Sequence, residues 1–191
     1  MKGFCPPKPE DLRRLLSRTI SITERKIDSP QAAVLLLIYA DGSDLFIPLT
    51  VRSKELPVHA GQICLPGGGV QNTDLGIEVT ALREANEEIG VCLDLSNVLG
   101  CLPATTTNSG FEVTPVVAWT SSTPTFRLQP REVDKLITLP LELALDVSQY
   151  KQDTLIENGI KRQFYFIEFD GHYIWGATAR ILRSLANLAA Q

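Results

Sequence analysis

The stretch Arg83-Glu84-Ala85-Asn86-Glu87-Glu88-Ile89-Gly90 decides how this chain is read. At about 100° per residue, a helix here puts Val79, Leu82, Ala85 and Ile89 on one face. Glu84, Glu87 and Glu88 then stand together at i, i+3 and i+4, roughly opposite. Arg83 precedes Glu87 by one helical turn and is placed to brace it. Like charges at i and i+4 cost an isolated helix about 0.2–0.5 kcal/mol. A solvated surface helix can carry such a pattern. Here, however, one basic residue alone is near enough to relieve it, and the run Gly67-Gly68-Gly69 lies just upstream, where a ligand can approach the backbone closely. Crowded carboxylates become favourable when they hold a hard divalent cation, and Mg²⁺ takes carboxylates together with phosphate oxygens of a substrate.

Working outward, the helix is expected from Leu75 to Ile89, with Asp74 as N-cap and Gly90 as the stop. Upstream, Ala32–Ala40 and Leu45–Val51 read as strands joined by the turn Asp41-Gly42, and Glu10–Ser17 as a short helix. Residues 52–69 read as loop, short strand and loop. Downstream, Leu99–Leu102, Glu112–Thr120, a weaker Phe126–Leu128 and Phe164–Glu168 read as strands. Leu139–Val147 reads as a short helix, and Thr178–Ala190 as an amphipathic one. Strands and helices are interspersed without regular βαβ alternation. The expected class is therefore α/β (α+β), a mixed β-sheet sandwiched between helices. Residues 1–29 are expected to form an N-terminal arm with its short helix, and residues 30–191 the main domain.

Composition bounds the function. The chain has 191 residues, 44% of them apolar and 21% charged, as in globular proteins. Its formal charge of −4 argues against an extended nucleic-acid partner. The apolar run Ala32–Ala40 is far shorter than the roughly 20 residues of a membrane-spanning helix. MKGFCPPKPE lacks an apolar signal core, so no membrane partner and a cytoplasmic location are expected. Cys5, Cys64, Cys92 and Cys101 form no CxxC pair, and His59 and His172 complete a poor inventory for structural zinc. Cys64, Cys92 and Cys101 sit in apolar surroundings and are expected to be buried, reduced thiols.

Residues 83–91 resemble the second half of the Nudix hydrolase box, G-x5-E-x7-R-E-U-x-E-E-x-G-U, with Ala85 at the aliphatic position. Gly69 matches the box's first residue, whereas Leu75 stands at the first Glu position, for which Asp74 substitutes if the loop shifts by one residue. The preceding segment, Leu49-Thr50-Val51-Arg52-Ser53, His59-Ala60-Gly61-Gln62 and Leu65-Pro66-Gly67-Gly68, resembles the coenzyme A pyrophosphatase branch of that family. Pro57 and Leu65 depart from that branch, where Arg and Phe are expected. Phe111–Val117, Arg131-Glu132-Val133 with Leu139-Pro140-Leu141, and Ile174–Arg180 are also similar to it.

The resemblance implies a Nudix fold and a metal-dependent hydrolase. Glu84, Glu87 and Glu88 are then the expected ligands of Mg²⁺ or Mn²⁺ and belong to the catalytic group. Arg83 joins that group by orienting Glu87. Glu132 is a second candidate base, or a loop carboxylate beside Arg131. Arg52 is a candidate phosphate contact or a surface ion pair, and His59 and Gln62 bind substrate or shape their loop. Gly67 and Gly68 fix the turn beside the substrate, and Trp175 is expected to pack the last helix against the sheet. The implied reaction cleaves the diphosphate of coenzyme A or a derivative into 3′,5′-ADP and 4′-phosphopantetheine or its acyl form. The alternatives are hydrolysis of another nucleoside diphosphate, such as ADP-ribose or a dinucleotide, or a non-catalytic binding module. A small-molecule nucleoside diphosphate is the expected partner. A homodimer is expected through the N-terminal arm.

Overall fold

Residues 32–38, AAVLLLI, carry no polar side chain, so a strand built from them must be covered on both faces. The computed structural model, which describes residues 6–17, 30–107, 110–157 and 160–190, has this arrangement. In chain order the elements are α1 (Pro9–Ser17), β1 (Gln31–Asp41), β2 (Asp44–Arg52), β3 (Ile63–Cys64), β4 (Gly67–Gly69) and α2 (Ile77–Ile89). There follow β5 (Val98–Cys101), β6 (Thr105–Thr106), β7 (Glu112–Thr120), β8 (Val133–Pro140) and α3 (Leu141–Leu145). The chain ends with β9 (Lys151–Glu157), β10 (Ile160–Phe169), β11 (His172–Trp175) and α4 (Gly176–Ala189).

Strand β1 is the spine. Its alternate side chains supply two cores. Leu36 and Ile38 join Leu12 and Leu16 of α1 and Leu182 and Leu185 of α4. Leu35 and Leu37 join Ala81, Ala85 and Ile89 of α2. Each fully buried leucine here contributes about 2–5 kcal/mol on the leucine-to-alanine scale. The alanines let α2 lie close to the sheet. β1 pairs antiparallel with β2, and parallel with β7 from Gln31↔Glu112 to Tyr39↔Thr120. β2 also carries β3 and β8, and β7 carries β5 and β6. Among the described residues this makes one eight-stranded mixed sheet, while β11, β10 and β9 form a separate three-stranded one.

Several expectations change. The glycine run is a strand, not a loop: Gly67, Gly68 and Gly69 pair with Val34, Ala33 and Ala32. Asp74 does not cap α2, which starts after an extended Gly76 with no side-chain cap. Phe126–Leu128 forms no strand. The N–H groups of Arg127 and Gln129 donate to the carbonyls of Ile89 and Glu88 at 2.8 and 2.9 Å. This segment thus satisfies the open end of α2 instead of joining a sheet. The helix of the N-terminal arm belongs to the main core, with Leu12 and Leu16 fully buried. The rest of that arm, including Cys5, lies outside the described residues.

The C-terminal part corrects the reading of Trp175. Ile167 and Ile174 face each other across β10 and β11 and are fully buried on the α4 side. Trp175 pairs with Phe166, one residue out of phase. It therefore lies on the opposite face of that sheet, edge-on to Phe164, and does not pack the last helix.

Candidate active site

The glycine strand determines how near the acidic helix comes to the sheet. A Cβ at Gly68 would lie 2.5 Å from the Glu84 carboxyl carbon, and one at Gly67 would collide with the Ala33 carbonyl. Only hydrogen at these positions lets α2 lay its carboxylates against β4.

Glu88 is on the buried side of α2, in one stripe with Ala81 and Ala85. The expectation that all three acids oppose the apolar face is corrected here. The Glu88 side chain is 5% exposed, its Oε1 3.8 Å from Nη1 of Arg52. Its Oε2 accepts a hydrogen bond from the Gly67 N–H at 3.2 Å. Burial pushes this carboxyl up to about 7, reinforced by Glu132 and Glu84 and opposed by Gly67 and Arg52. Glu84 is also raised, first by burial and then by Glu87 and Glu132, against the pull of Arg83.

Arg83 organises the rest, and all five of its N–H groups are engaged. Nε donates to Oδ1 of Asp74 at 3.0 Å and Nη2 to Oδ2 of Asp74 at 3.0 Å. Nη2 also donates to the Gly69 carbonyl at 3.1 Å. Nη1 is shared between Oε1 of Glu84 at 2.9 Å and Oε2 of Glu87 at 3.1 Å. The expected Arg83–Glu87 brace is present, with Glu84 as an additional partner.

Asp74 carries that arrangement, in the place of the missing first Glu for which it was the expected substitute rather than as the N-cap of α2. Besides Arg83 it accepts from the Gln71 N–H at 2.9 Å and from Oγ1 of Thr80 at 2.8 Å. The Arg83 guanidinium, aided by the Gln71 N–H, holds this carboxyl well below the usual carboxylate range. Leu75, at the expected Glu position, is 96% exposed. Asp74 therefore takes the anchoring place one residue earlier. The signal was visible as a carboxylate nine residues before Arg83, but the loop geometry that directs it back was not.

Glu132 lies on the loop before β8. Its carbonyl accepts from the Ser53 N–H at 2.8 Å, which ties that loop to the end of β2. Its charge acts on both Glu84 and Glu88, so it belongs to the same group. Arg52 ends β2, and its Nε is buried without a hydrogen-bond partner. His59 and Gln62 are not drawn into the carboxylate group. They bond each other, Nδ1 to Oε1 at 3.0 Å, in the exposed turn before β3, with His59 at φ 59°. Cys64, expected only as a buried thiol in apolar surroundings, ends β3 beside this group. Its Sγ is 3.2 Å from Oγ1 of Thr50, and the thiol is pushed up by burial, with the charge of Glu88 raising it further and that of Arg52 lowering it. Its surroundings are polar on one side, and Cys92, also expected to be buried, is exposed.

Comparison with known proteins follows the same lines. The NUDIX domain family matches residues 29–158. The chain belongs to the Nudix family. It is 34% identical over 165 residues to the Nudix hydrolase NudL of Salmonella heidelberg, covering 86% of this chain and 85% of the relative. It is 38% identical over 159 residues to NudL of Yersinia enterocolitica, covering 83% and 81%. Both relatives are named as uncharacterized. A MutT/nudix protein of Enterococcus faecalis shares the fold with a TM-score of 0.60 at 13% identity, over 98% of this chain and 76% of that one. The Nudix assignment makes the chain a pyrophosphohydrolase acting on a diphosphate substrate. Strands β10 and β11 and helix α4 lie beyond the matched Nudix residues. Among the described residues, no helix is long and apolar enough to cross a membrane.

Nudix enzymes typically use a divalent metal. Among the described residues, no three His, Cys, Asp or Glu side chains form a ready-made metal cluster. The reason is visible in Arg83, which draws Glu84 and Glu87 to itself. The donor chemistry nonetheless fits a hard cation. Glu88 is a carboxyl destabilised as an anion by burial and by its acidic neighbours, and an added positive charge would relieve it.

Proposed function

We propose that this Nudix hydrolase cleaves the diphosphate of coenzyme A or its derivatives, giving 3′,5′-ADP and 4′-phosphopantetheine or acyl-phosphopantetheine. The observation that carries the reading is the packing of Glu84 and Glu88 against a glycine strand, with Arg52 beside Glu88 and the charge of Glu132 near enough to act on both carboxyls. Glu84, Glu87 and Glu88 would hold Mg²⁺ or Mn²⁺, whose bound charge supplies Lewis-acid polarisation of the phosphoryl oxygens. Arg52 would bind a substrate phosphate through the exposed part of its guanidinium, beside Glu88. Asp74 and Arg83 keep Glu84 and Glu87 in place. Glu88, poised near neutrality, and Glu132 are the candidates to accept the proton of the attacking water as the phosphoanhydride P–O bond breaks.

Coenzyme A as substrate is supported by the segment Leu49–Gly68, which contributes Arg52 and Gly67 to the group around Glu88. Leu65 is buried in the main core, so its departure from Phe is a packing exchange. Pro57 is different. It stands exposed on the loop and offers no donor to a phosphate, which favours a second reading, hydrolysis of ADP-ribose or a dinucleotide. The test is purified protein with Mg²⁺ or Mn²⁺ against coenzyme A, acyl-coenzyme A, ADP-ribose and diadenosine polyphosphates, with Glu88→Gln as control. Cleavage of coenzyme A to 3′,5′-ADP is expected. Cleavage of ADP-ribose alone would select the second reading, and turnover undiminished in Glu88→Gln would refute the role of that residue.

A further inference from the structure

Arg52 turns Nη1 toward Glu88 at 3.8 Å, yet its Nε is covered and has no hydrogen-bond partner among the described residues. A buried N–H without an acceptor is costly, and nearly all such groups in folded proteins find one. A substrate phosphate does not meet this need, because it reaches only the exposed part of the guanidinium. The acceptor has to come from the strands around Arg52.

The pairing of β2 with β3 shows which side chain stands there. Thr50 lies opposite Cys64 and Val51 opposite Ile63, and the Arg52 N–H donates to the Gln62 carbonyl at 2.9 Å. Side chains alternate along a strand. Val51 and Ile63 therefore turn toward the main core, while Thr50, Arg52 and Cys64 share the other face. Gln62, directly across from Arg52, gives its Oε1 to His59. Cys64 is the diagonal neighbour of Arg52, within reach of a long side chain. Arg52 is near enough to lower the Cys64 thiol, against the larger effect of burial.

Proton counting leaves this sulfur able to accept. The Thr50 hydroxyl has one proton and donates it to the Cys64 carbonyl at 3.3 Å. In its contact with Thr50 Oγ1 at 3.2 Å, the Cys64 thiol is then the donor. The lone pairs of Sγ remain for another donor, and the orphaned N–H of Arg52 lies on the same face.

We infer that Cys64 is a positioning residue: its sulfur takes the Nε–H of Arg52 and sets the angle at which the other guanidinium donors face Glu88 and a substrate phosphate. The effect on substrate rests on the reading of Arg52 as a phosphate contact. The first readout needs no substrate. Solvent exchange of the Arg52 Nε–H is followed by proton–nitrogen NMR of the full chain, its signal assigned by its loss in Arg52→Lys. Exchange should quicken about tenfold in Cys64→Ala and in Cys64→Val, neither of which has a lone pair, and return toward the parent in Cys64→Ser.

The second readout is steady-state kinetics with Mg²⁺ on coenzyme A and on ADP-ribose. Cys64→Ala should raise KM about three- to tenfold with kcat changed less, and Cys64→Ser should restore it. Added to Arg52→Lys, Cys64→Ala should change nothing further, because Lys has no Nε–H. Circular dichroism checks that each variant is folded, and Cys64→Val decides if Cys64→Ala is not. Exchange that stays at the parental rate without the sulfur overturns the inference. So does a Cys64→Ser no better than Cys64→Ala, or effects that add in the double variant. A KM untouched by Arg52→Lys, with exchange still dependent on Cys64, would instead remove the phosphate role of Arg52 and leave the sulfur contact standing.

Discussion

Replacing Glu88 by Gln separates the cost of this carboxyl from its use. Gln keeps the shape and can still accept from the Gly67 N–H, but it cannot ionise. In the folded chain the Glu88 carboxyl is raised from 4.5 to about 7, mainly by burial. Between those values the folded state holds a proton that the unfolded chain releases. The contribution of Glu88 to stability is therefore fully present below pH 4.5 and is lost as pH rises through about 7. At about 1.4 kcal/mol per pKa unit, the loss is about 3 kcal/mol by pH 8 in metal-free protein. For a chain of this length that corresponds to about 6–12 °C in melting temperature. The assay is thermal or urea unfolding of parent and Glu88→Gln with chelator present, from pH 5 to 8. The two curves should lie close together at pH 5, and the variant should become the more stable as pH rises. Adding Mg²⁺ at pH 8 should then stabilise the parent and not the variant. A difference between the two proteins that stays flat across this range would refute the claim that burial destabilises the Glu88 anion. Catalysis should move the other way, with the more stable variant at least about a hundredfold slower.

Other perturbations probe the supports of the site. Asp74→Ala should leave circular dichroism unchanged and lower kcat/KM about ten- to hundredfold, because Glu84 and Glu87 lose their held Arg83; an unchanged kcat/KM would deny Asp74 a positioning role. Gly68→Ala and Gly67→Ala should part ways. The first presses on the movable carboxylate of Glu84 and should cost activity with little change in melting. The second presses on the Ala33 backbone and should cost about 1–3 kcal/mol of stability, read by urea unfolding. Arg52→Lys keeps the charge but not the fork of donors, and should raise KM about tenfold with kcat changed less, as steady-state kinetics would show.

Much of the fold was legible because its decisive elements are locally periodic. The AAVLLLIYA strand, the hairpin at Asp41-Gly42 and the acidic helix follow from residues close together in sequence. Strands β8 and β9 were not. In β8 alternation is clear only at its end, where Ile137 and Leu139 are buried around an exposed Thr138. In β9 the residues from Lys151 to Ile156 are exposed on both faces, so no side chain records the pairing. Phe126–Leu128 misled for the opposite reason. Its residues suit a strand, but their backbone is taken by the end of α2.

The sequence by itself determined which charged groups the candidate site gathers on one helix. A helix with carboxylates at i, i+3 and i+4, an arginine one turn before the second, and glycines just upstream requires no tertiary information. Tertiary structure decided which of those groups are alike. Glu84, Glu87 and Glu88 are the same residue type on one helix, yet Glu88 is buried and raised to about 7 while Glu87 is 52% exposed. Tertiary structure also decided that Asp74 anchors Arg83 and that Trp175 turns away from the last helix. The physical reason is that side-chain identity and helical spacing are local, whereas burial, and with it the energy of a charge, is set by what distant strands place alongside.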